Sequence, residues 1–298
     1  MSASGLFDAR WWTLESPAKA DVARAICGLC PHGCAIAPGK AGLCGARFFD
    51  GHKLLSPWLG RFSSIAVDPI EKKPLYHWRP GSRIFSLGSL GCTMCCPFCQ
   101  NYTIAHPQGT LPRLNTLAPE ALRDTCLELG LDCVAYTYNE PALQAEYILA
   151  AAPVLQEAGI ATVLVSNGMY SPALLGELAR AVQAVNIDLK CFTAKGYARL
   201  GGNFEQVKAS ITGLLEAACH VECTTLVVPG VSDNEDDFIR EVDWLAALSR
   251  DIPLHLSRYR PAYKFTAPPT DIDLLKRFAA LAKSKLTRVH IGNVPGLR

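Results

Sequence analysis

From residue 83 onward the chain alternates short apolar runs with longer amphipathic stretches. The apolar runs at 84–87, 134–138, 162–166, 185–189, 221–228, 254–257 and 288–291 have the length of buried strands. Between them, 119–128, 141–158, 172–182, 204–217, 236–248 and 272–283 repeat apolar residues at helical spacing. Pro119, Pro141 and Pro172 open three of these stretches, where a missing N–H costs nothing, and Gly130 and Gly159 stand near the ends of two. Repeated strand–helix units give a parallel sheet with right-handed crossovers. A closed eightfold barrel takes about 250 residues, whereas about 215 remain here, with seven strands at most. The pattern therefore predicts an α/β fold, a partial (β/α)6 TIM-like barrel over 83–298. A doubly wound flat sheet would carry a glycine-rich phosphate loop after its first strand. This chain carries cysteines there.

Upstream of residue 83 the periodicity fades. Residues 1–60 read as a small cysteine-rich metal-binding module and 61–82 as a connector. Trp11 and Trp12 read as packing residues, and a short helical pattern follows Ser16-Pro17. Cys27, Cys30, Cys34 and Cys44 lie among Gly and Pro, with too few apolar neighbours for a core of their own. Four thiolates on turns point to a metal-stapled knuckle. Zinc and an iron–sulfur cluster both accept four cysteines, and full coordination makes either one structural or electron-carrying. His32 lies inside the knuckle as a surface residue or a substitute ligand. Glu71-Lys72-Lys73 reads as a solvated turn within the Pro-bounded segment 68–80.

Directly after the first barrel strand, Cys92, Cys95, Cys96 and Cys99 fall within a single loop. Cys92, Cys96 and Cys99 form a C-x3-C-x2-C array, with Phe98 just before the last cysteine. Three thiolates on a [4Fe-4S] cube leave one iron open, which separates a catalytic cluster from a closed electron carrier. The open iron can be chelated by the amino and carboxylate groups of S-adenosylmethionine (SAM). Pairing Cys92 with Cys95 and Cys96 with Cys99 imitates two zinc knuckles. However, the adjacency of Cys95 and Cys96 strains a shared tetrahedral site. Cys95 is then a bystander thiol or an alternative ligand.

Composition narrows the field. Hydrophobic residues make up 49% and charged residues 19%, enough for a sizeable core and too apolar for disorder. A net charge of +2 without a basic stretch argues against nucleic acid. Residues 1–24 carry Asp8 and Glu15 and no long apolar run, so neither a signal peptide nor a membrane span is expected. Of 13 cysteines, eight sit in the two clusters. Cys126, Cys133, Cys191, Cys219 and Cys223 lie among apolar neighbours and read as small buried hydrophobes in a reducing, cytoplasmic compartment.

The cysteine loop resembles that of the radical SAM superfamily. Further segments recur in one subgroup in the same order: the Cys27–Cys34 knuckle, Asp68-Pro-Ile-Glu-Lys-Lys-Pro74, Phe98-Cys-Gln-Asn101, Asn186-Ile-Asp-Leu-Lys190 and Gly292-Asn-Val-Pro-Gly296. That subgroup is the AmmeMemoRadiSam-system enzymes, relatives of pyruvate formate-lyase activating enzyme. The resemblance covers nearly the whole chain from Cys27, although many relatives continue into a further cysteine-bearing tail. It implies an oxidoreductase-type enzyme with a [4Fe-4S] cluster on Cys92, Cys96 and Cys99, and bound SAM. An electron donor such as flavodoxin or ferredoxin and a Memo-like partner protein are implied with it. It also implies that the 68–80 segment shapes the active-site entrance.

Catalytic groups of such barrels sit at the C-terminal strand ends. Thr137-Tyr138-Asn139-Glu140-Pro141 stands where relatives use a Gly-Gly-Glu-Pro run to hold the cofactor's amino group; alternatively, Asn139 is a plain helix cap. Ser166-Asn167-Gly168 resembles a Thr-Asn-Gly run near the cofactor, with Val165 where some relatives have an Asp linked to a cation. Asp188 and Lys190 share one side of their strand and read as ligands for the cofactor's carboxylate and ribose, or as a structural ion pair. Phe98, His255 and Val294 complete the cofactor-facing set implied by the resemblance, although a lone His between two leucines is also an ordinary core residue. The implied reaction is reductive cleavage of SAM to a 5′-deoxyadenosyl radical that abstracts hydrogen from a small-molecule, peptide or protein substrate. Two other readings stand beside it: an activating enzyme that installs a glycyl radical on a partner protein, and a non-enzymatic iron–sulfur or zinc protein.

Overall fold

The computed structural model describes residues 7–15 and 23–296; the helical pattern expected after Ser16-Pro17 lies outside them. The chain opens with short antiparallel strands, β1 (Phe7–Asp8), β2 (Trp12–Glu15), β3 (Arg24–Cys27), β4 (Ala35–Ile36), β5 (Lys40–Ala41), β6 (Phe48–Phe49) and β7 (Leu54–Ser56). They form two small sheets, β2-β3-β4 and β1-β7-β6-β5. Next come β8 (Arg61–Phe62), β9 (Ser64–Pro69) and β10 (Arg83–Gly88), and then β11 (Asn115–Thr116), which pairs with β8. The remaining strands are β12 (Cys133–Tyr136), β13 (Ala161–Ser166), β14 (Ala184–Leu189), β15 (His220–Val227), β16 (Leu254–Arg258) and β17 (Val289–Gly292).

Strands β9, β10 and β12 to β17 form one open sheet in chain order. Its pairings from β10 to β17 are parallel, and β9 adds to the β10 edge antiparallel. The helices are α1 (Tyr102–Ala105), α2 (Pro119–Glu128), α3 (Ala145–Glu157), α4 (Pro172–Ala181), α5 (Ala194–Arg199), α6 (Phe204–Glu216), α7 (Glu235–Leu248) and α8 (Ile272–Lys283). With α2, α3, α4, α6, α7 and α8 serving as crossovers, this is a partial (β/α)6 barrel closed off by β17. The apolar strands and helix faces pack into one large core, with a smaller second cluster around Ile70, Leu75 and Ile84.

Local chemistry explains where the elements depart from the periodicity. The helix expected over 141–158 begins as a 3₁₀ turn, Pro141–Gln144, because the Glu140 carboxylate accepts from the Ala142 N–H at 2.9 Å; α3 starts only afterwards. The strand expected over 134–138 stops at Tyr136, since Tyr138 adopts a left-handed φ of 69°. The segment 61–82, expected as a connector, supplies β9 to the main sheet. Helix α5, only six residues long, was not foreseen.

Between β9 and β10 the chain crosses the barrel interior on the side opposite the strand C-terminal ends. The Asn186 side chain donates to the Pro74 carbonyl at 2.8 Å. The Tyr76 and His77 N–H groups donate to the Glu222 carboxylate at 3.1 and 2.8 Å. Glu222, fully buried, is also bonded to His220 at 2.9 Å and His255 at 2.6 Å, and His77 meets His290 at 2.8 Å. A buried carboxylate is costly unless it is fully paired, and here ring and backbone partners supply the pairing. This floor fixes where Lys72, Lys73 and Pro74 stand beneath the pocket above.

The floor makes folding acid-sensitive. Burial alone would raise the Glu222 carboxyl, but hydrogen bonds from His220, His255 and the His77 N–H hold it at about 2, against an ordinary 4.5. Burial, then the neighbouring His255 and His77, pushes His290 down to about 4 from 6.5. The unfolded chain therefore takes up protons first at both groups. Stability falls between about pH 6.5 and 4 through His290, and between about pH 4.5 and 2 through Glu222. Replacing Glu222 with Gln should cost about 3 kcal/mol at pH 7. It should also flatten the loss below pH 4.5 in thermal melts while leaving the loss above it. Unchanged melts across this range would remove Glu222 from the account.

Candidate active site

The C-terminal strand ends converge on one cavity of about 370 Å³. The loop after β10 brings Cys92, Cys96, Phe98 and Cys99 to its wall; β12 leads into Tyr138, Asn139 and Glu140; β13 delivers Ser166 and Asn167. Asp188 and Lys190 come from β14, Thr224 and Leu226 from β15, Ser257 from β16, and Asn293 follows β17. Cys95 is exposed and stands outside the cavity lining, with its N–H donating to the Leu200 carbonyl.

Asparagine side chains hold the cysteine loop in place. Asn139 accepts from the Ser89 N–H at 2.8 Å and donates to the Gly91 carbonyl at 2.9 Å, so it does not cap a helix. Asn167 donates to Thr93 Oγ1 at 2.9 Å and approaches Cys92 Sγ at 3.7 Å. Asn101 donates to the Tyr138 carbonyl at 2.7 Å, closing the far end of the loop. Gly91 sits at φ 90°, and a Cβ there would lie 2.5 Å from the Cys44 carbonyl oxygen, so only glycine fits.

The donor set suits an iron–sulfur cluster. Burial raises the Cys92, Cys96 and Cys99 thiols, with Cys96 near 11, so they are protonated until a metal displaces the protons. The Met94 N–H, at 3.5 Å, and Asn167 point donors at Cys92 Sγ, as a thiolate requires. Phe98 is buried edge-on to Tyr259 and Phe265, which fixes the backbone between Cys96 and Cys99.

Beside the thiols lies a polar wall. Glu140, almost fully buried, accepts from Ser166 Oγ at 2.8 Å and from the Asn167 N–H at 3.0 Å. Burial outweighs those bonds and raises its carboxyl to about 7. Lys190 Nζ bonds Asp188 at 2.7 Å. Burial disfavours the Lys190 charge, but Asp188 and the nearby thiols raise it well above the ordinary lysine value. Such a wall offers an anion to an ammonium group, and a cation and a carboxylate to groups of opposite sign.

Two expected residues sit elsewhere. His255 lies one layer below the pocket, tied to Glu222 and edge-on to Tyr76; Ser257, two residues further along β16, takes the wall position. Val294 lines a separate shallow recess with Gln100, Arg260, Asn293 and Pro295. The sequence reading missed a buried constellation at the pocket edge. Asp68 bonds Lys73 at 2.7 Å, Tyr138 OH at 2.6 Å and Lys72 at 3.2 Å. Its sequence signals are the Asp68–Pro74 segment shared with the resembled subgroup and an Asp four and five residues ahead of two lysines. The other cysteine set, Cys27, Cys30, Cys34 and Cys44, lines one small enclosed space with Arg47.

Comparison with known proteins places the chain in a family. Residues 87–245 match the model of the Radical SAM superfamily. An uncharacterized protein of Methanocaldococcus jannaschii is 35% identical over 93% of this chain and 84% of its own length. A second protein of that organism, provisionally assigned as a glycyl-radical enzyme activating enzyme, is 24% identical over 68% of this chain and 84% of its own. The crystal structure of Streptococcus suis SuiB bound to S-adenosylmethionine aligns with a TM-score of 0.54 at 15% identity, over 68% of this chain and 48% of that one. The chain is a radical SAM enzyme, a member of the Radical SAM superfamily.

Proposed function

We propose that Cys92, Cys96 and Cys99 hold a [4Fe-4S] cluster with one open iron, and that SAM binds beside it in the 370 Å³ cavity. The observation that carries this reading is the convergence of three thiols, one buried and two partly buried, a buried carboxylate and an Asp–Lys pair on one cavity at parallel strand ends. When bound, the cluster and SAM supply one-electron reductive cleavage of the sulfonium, giving a 5′-deoxyadenosyl radical. Glu140, held by Ser166 and the Asn167 N–H, receives the cofactor's ammonium, and that cation restores the charge which burial opposes. Lys190 and Asp188 orient the carboxylate and the ribose. Phe98 and its aromatic neighbours exclude water behind the loop. The substrate, a small molecule, peptide or protein, enters beside Lys72 and Tyr138, which share the cavity wall with the thiols. Installation of a glycyl radical on a partner protein is the second reading, favoured by the 24%-identical activating-enzyme relative.

Anaerobically reconstituted protein should form 5′-deoxyadenosine when supplied with dithionite and SAM. The Cys96→Ala variant should lose roughly a hundredfold or more of that activity. Deoxyadenosine at wild-type rates from Cys96→Ala would overturn the assignment.

Glu140 gives a pH signature. Below about pH 7 its carboxyl is protonated in the ligand-free protein, so SAM affinity should weaken by about tenfold per pH unit. Glu140→Gln should bind SAM at least about tenfold more weakly at pH 8, with unchanged iron content and a flat pH profile. Calorimetric titrations from pH 5.5 to 8.5 decide it, and a flat profile in the wild type would sink this role.

A further inference from the structure

We infer that the four-cysteine site at residues 27–44 holds a second iron–sulfur cluster that passes single electrons to the catalytic loop. The inference rests on the proposed radical SAM reading for its electron acceptor. The first support is an unpaired donor. Arg47 is fully buried in the wall of the space lined by Cys27, Cys30, Cys34 and Cys44. Its two terminal nitrogens bond Glu146, but its Nε finds no partner. A desolvated N–H left unpaired costs about 1–3 kcal/mol. A metal core held by four thiolates carries net negative charge, and its sulfurs accept such a donor.

The four cysteines enclose one space, as thiolates around a single metal core do. Cys92, Cys96 and Cys99 likewise share one cavity.

The two cysteine sites also touch. His32, between Cys30 and Cys34, hydrogen-bonds through Nε2 to the Thr93 carbonyl at 2.7 Å, and Thr93 directly follows Cys92. The Cys44 carbonyl presses on Gly91, directly before Cys92, so closely that no side chain fits between them. Electron tunnelling falls off exponentially across gaps and is better carried by hydrogen bonds and covalent links. The contacts that brace the catalytic loop thus also give an electron a bonded path to it. The balance is one electron. A low-potential flavin or iron–sulfur carrier reduces the N-terminal site from [4Fe-4S]2+ to [4Fe-4S]1+, and the site returns to 2+ as the catalytic cluster is reduced. No bond breaks and no proton moves.

The test uses the full chain reconstituted without oxygen. Wild type should hold about eight iron and eight sulfide, and the variant with Cys92, Cys96 and Cys99 all replaced by Ala about four of each, with a reduced-cluster electron paramagnetic resonance signal. Zinc, or no iron, in the triple variant overturns the inference. His32→Leu should keep all its iron and its dithionite-driven deoxyadenosine. With a reduced flavodoxin-class protein as donor, the catalytic cluster signal should appear at least tenfold more slowly in this variant, and His32→Gln should recover part of the rate. A wild-type rate in His32→Leu overturns the relay. If wild type makes no deoxyadenosine, the radical reading fails, yet the iron count of the triple variant still judges the N-terminal cluster.

Discussion

The structure depends on keeping three largely covered thiols at the end of a strand. A loop that wraps a cluster cannot use its backbone for sheet ladders, so its polar groups need partners from elsewhere. Asn139, from the next strand end, takes both the Ser89 N–H and the Gly91 carbonyl, while Asn167, one strand further, takes Thr93 and leans on Cys92. The loop is thus held by two neighbouring strands rather than by its own length. Parallel order is what makes this work, since consecutive strands present their C-terminal ends to the same rim.

The same economy governs the wall opposite the thiols. Glu140 ends the β12 turn, caps the 3₁₀ helix that follows, and fixes the β13 end through Ser166 and Asn167. Its carboxyl is held by neutral donors alone, and burial outweighs them and raises it. Asp68, by contrast, has Lys73, Lys72 and Tyr138 around it; burial would raise it, but these partners hold it well below the usual carboxylate range.

Much of this was legible in the sequence. Apolar runs bounded by Pro and Gly mark real strands and helices, and α2 and α8 occupy the expected residues because Pro119 and Asp271 define their starts. The strand-end residues Glu140, Ser166, Asn167, Asp188 and Lys190 could be located by counting strands. Depth could not. Alternation gives the face of β16 but not the layer, so His255 and Ser257 look equivalent until the floor segment fills the lower layer. Two-residue strands such as β5 and β6 are too short for any periodicity, and the left-handed Tyr138 has no local signal. The lysines at 72 and 73 resemble a solvated turn, which fits the exposed Lys72 but not Lys73, buried against Asp68.

Burial of the floor and buttressing of the rim have a common origin. An open sheet leaves its interior accessible from below and its loops unsupported from above. The 70–79 segment fills the first gap with backbone N–H groups on Glu222 and a Tyr and His packed against His255 and His290. The N-terminal module covers the second, with His32 on Thr93, Cys44 against Gly91 and Arg47 on Glu146 of α3. Both fillers come from residues before the first parallel strand. A barrel that closed on itself would need neither, so the incomplete sheet and the long N-terminal extension belong to one solution: the extension supplies the missing enclosure, and in doing so brings a second set of four thiols within one hydrogen bond of the first.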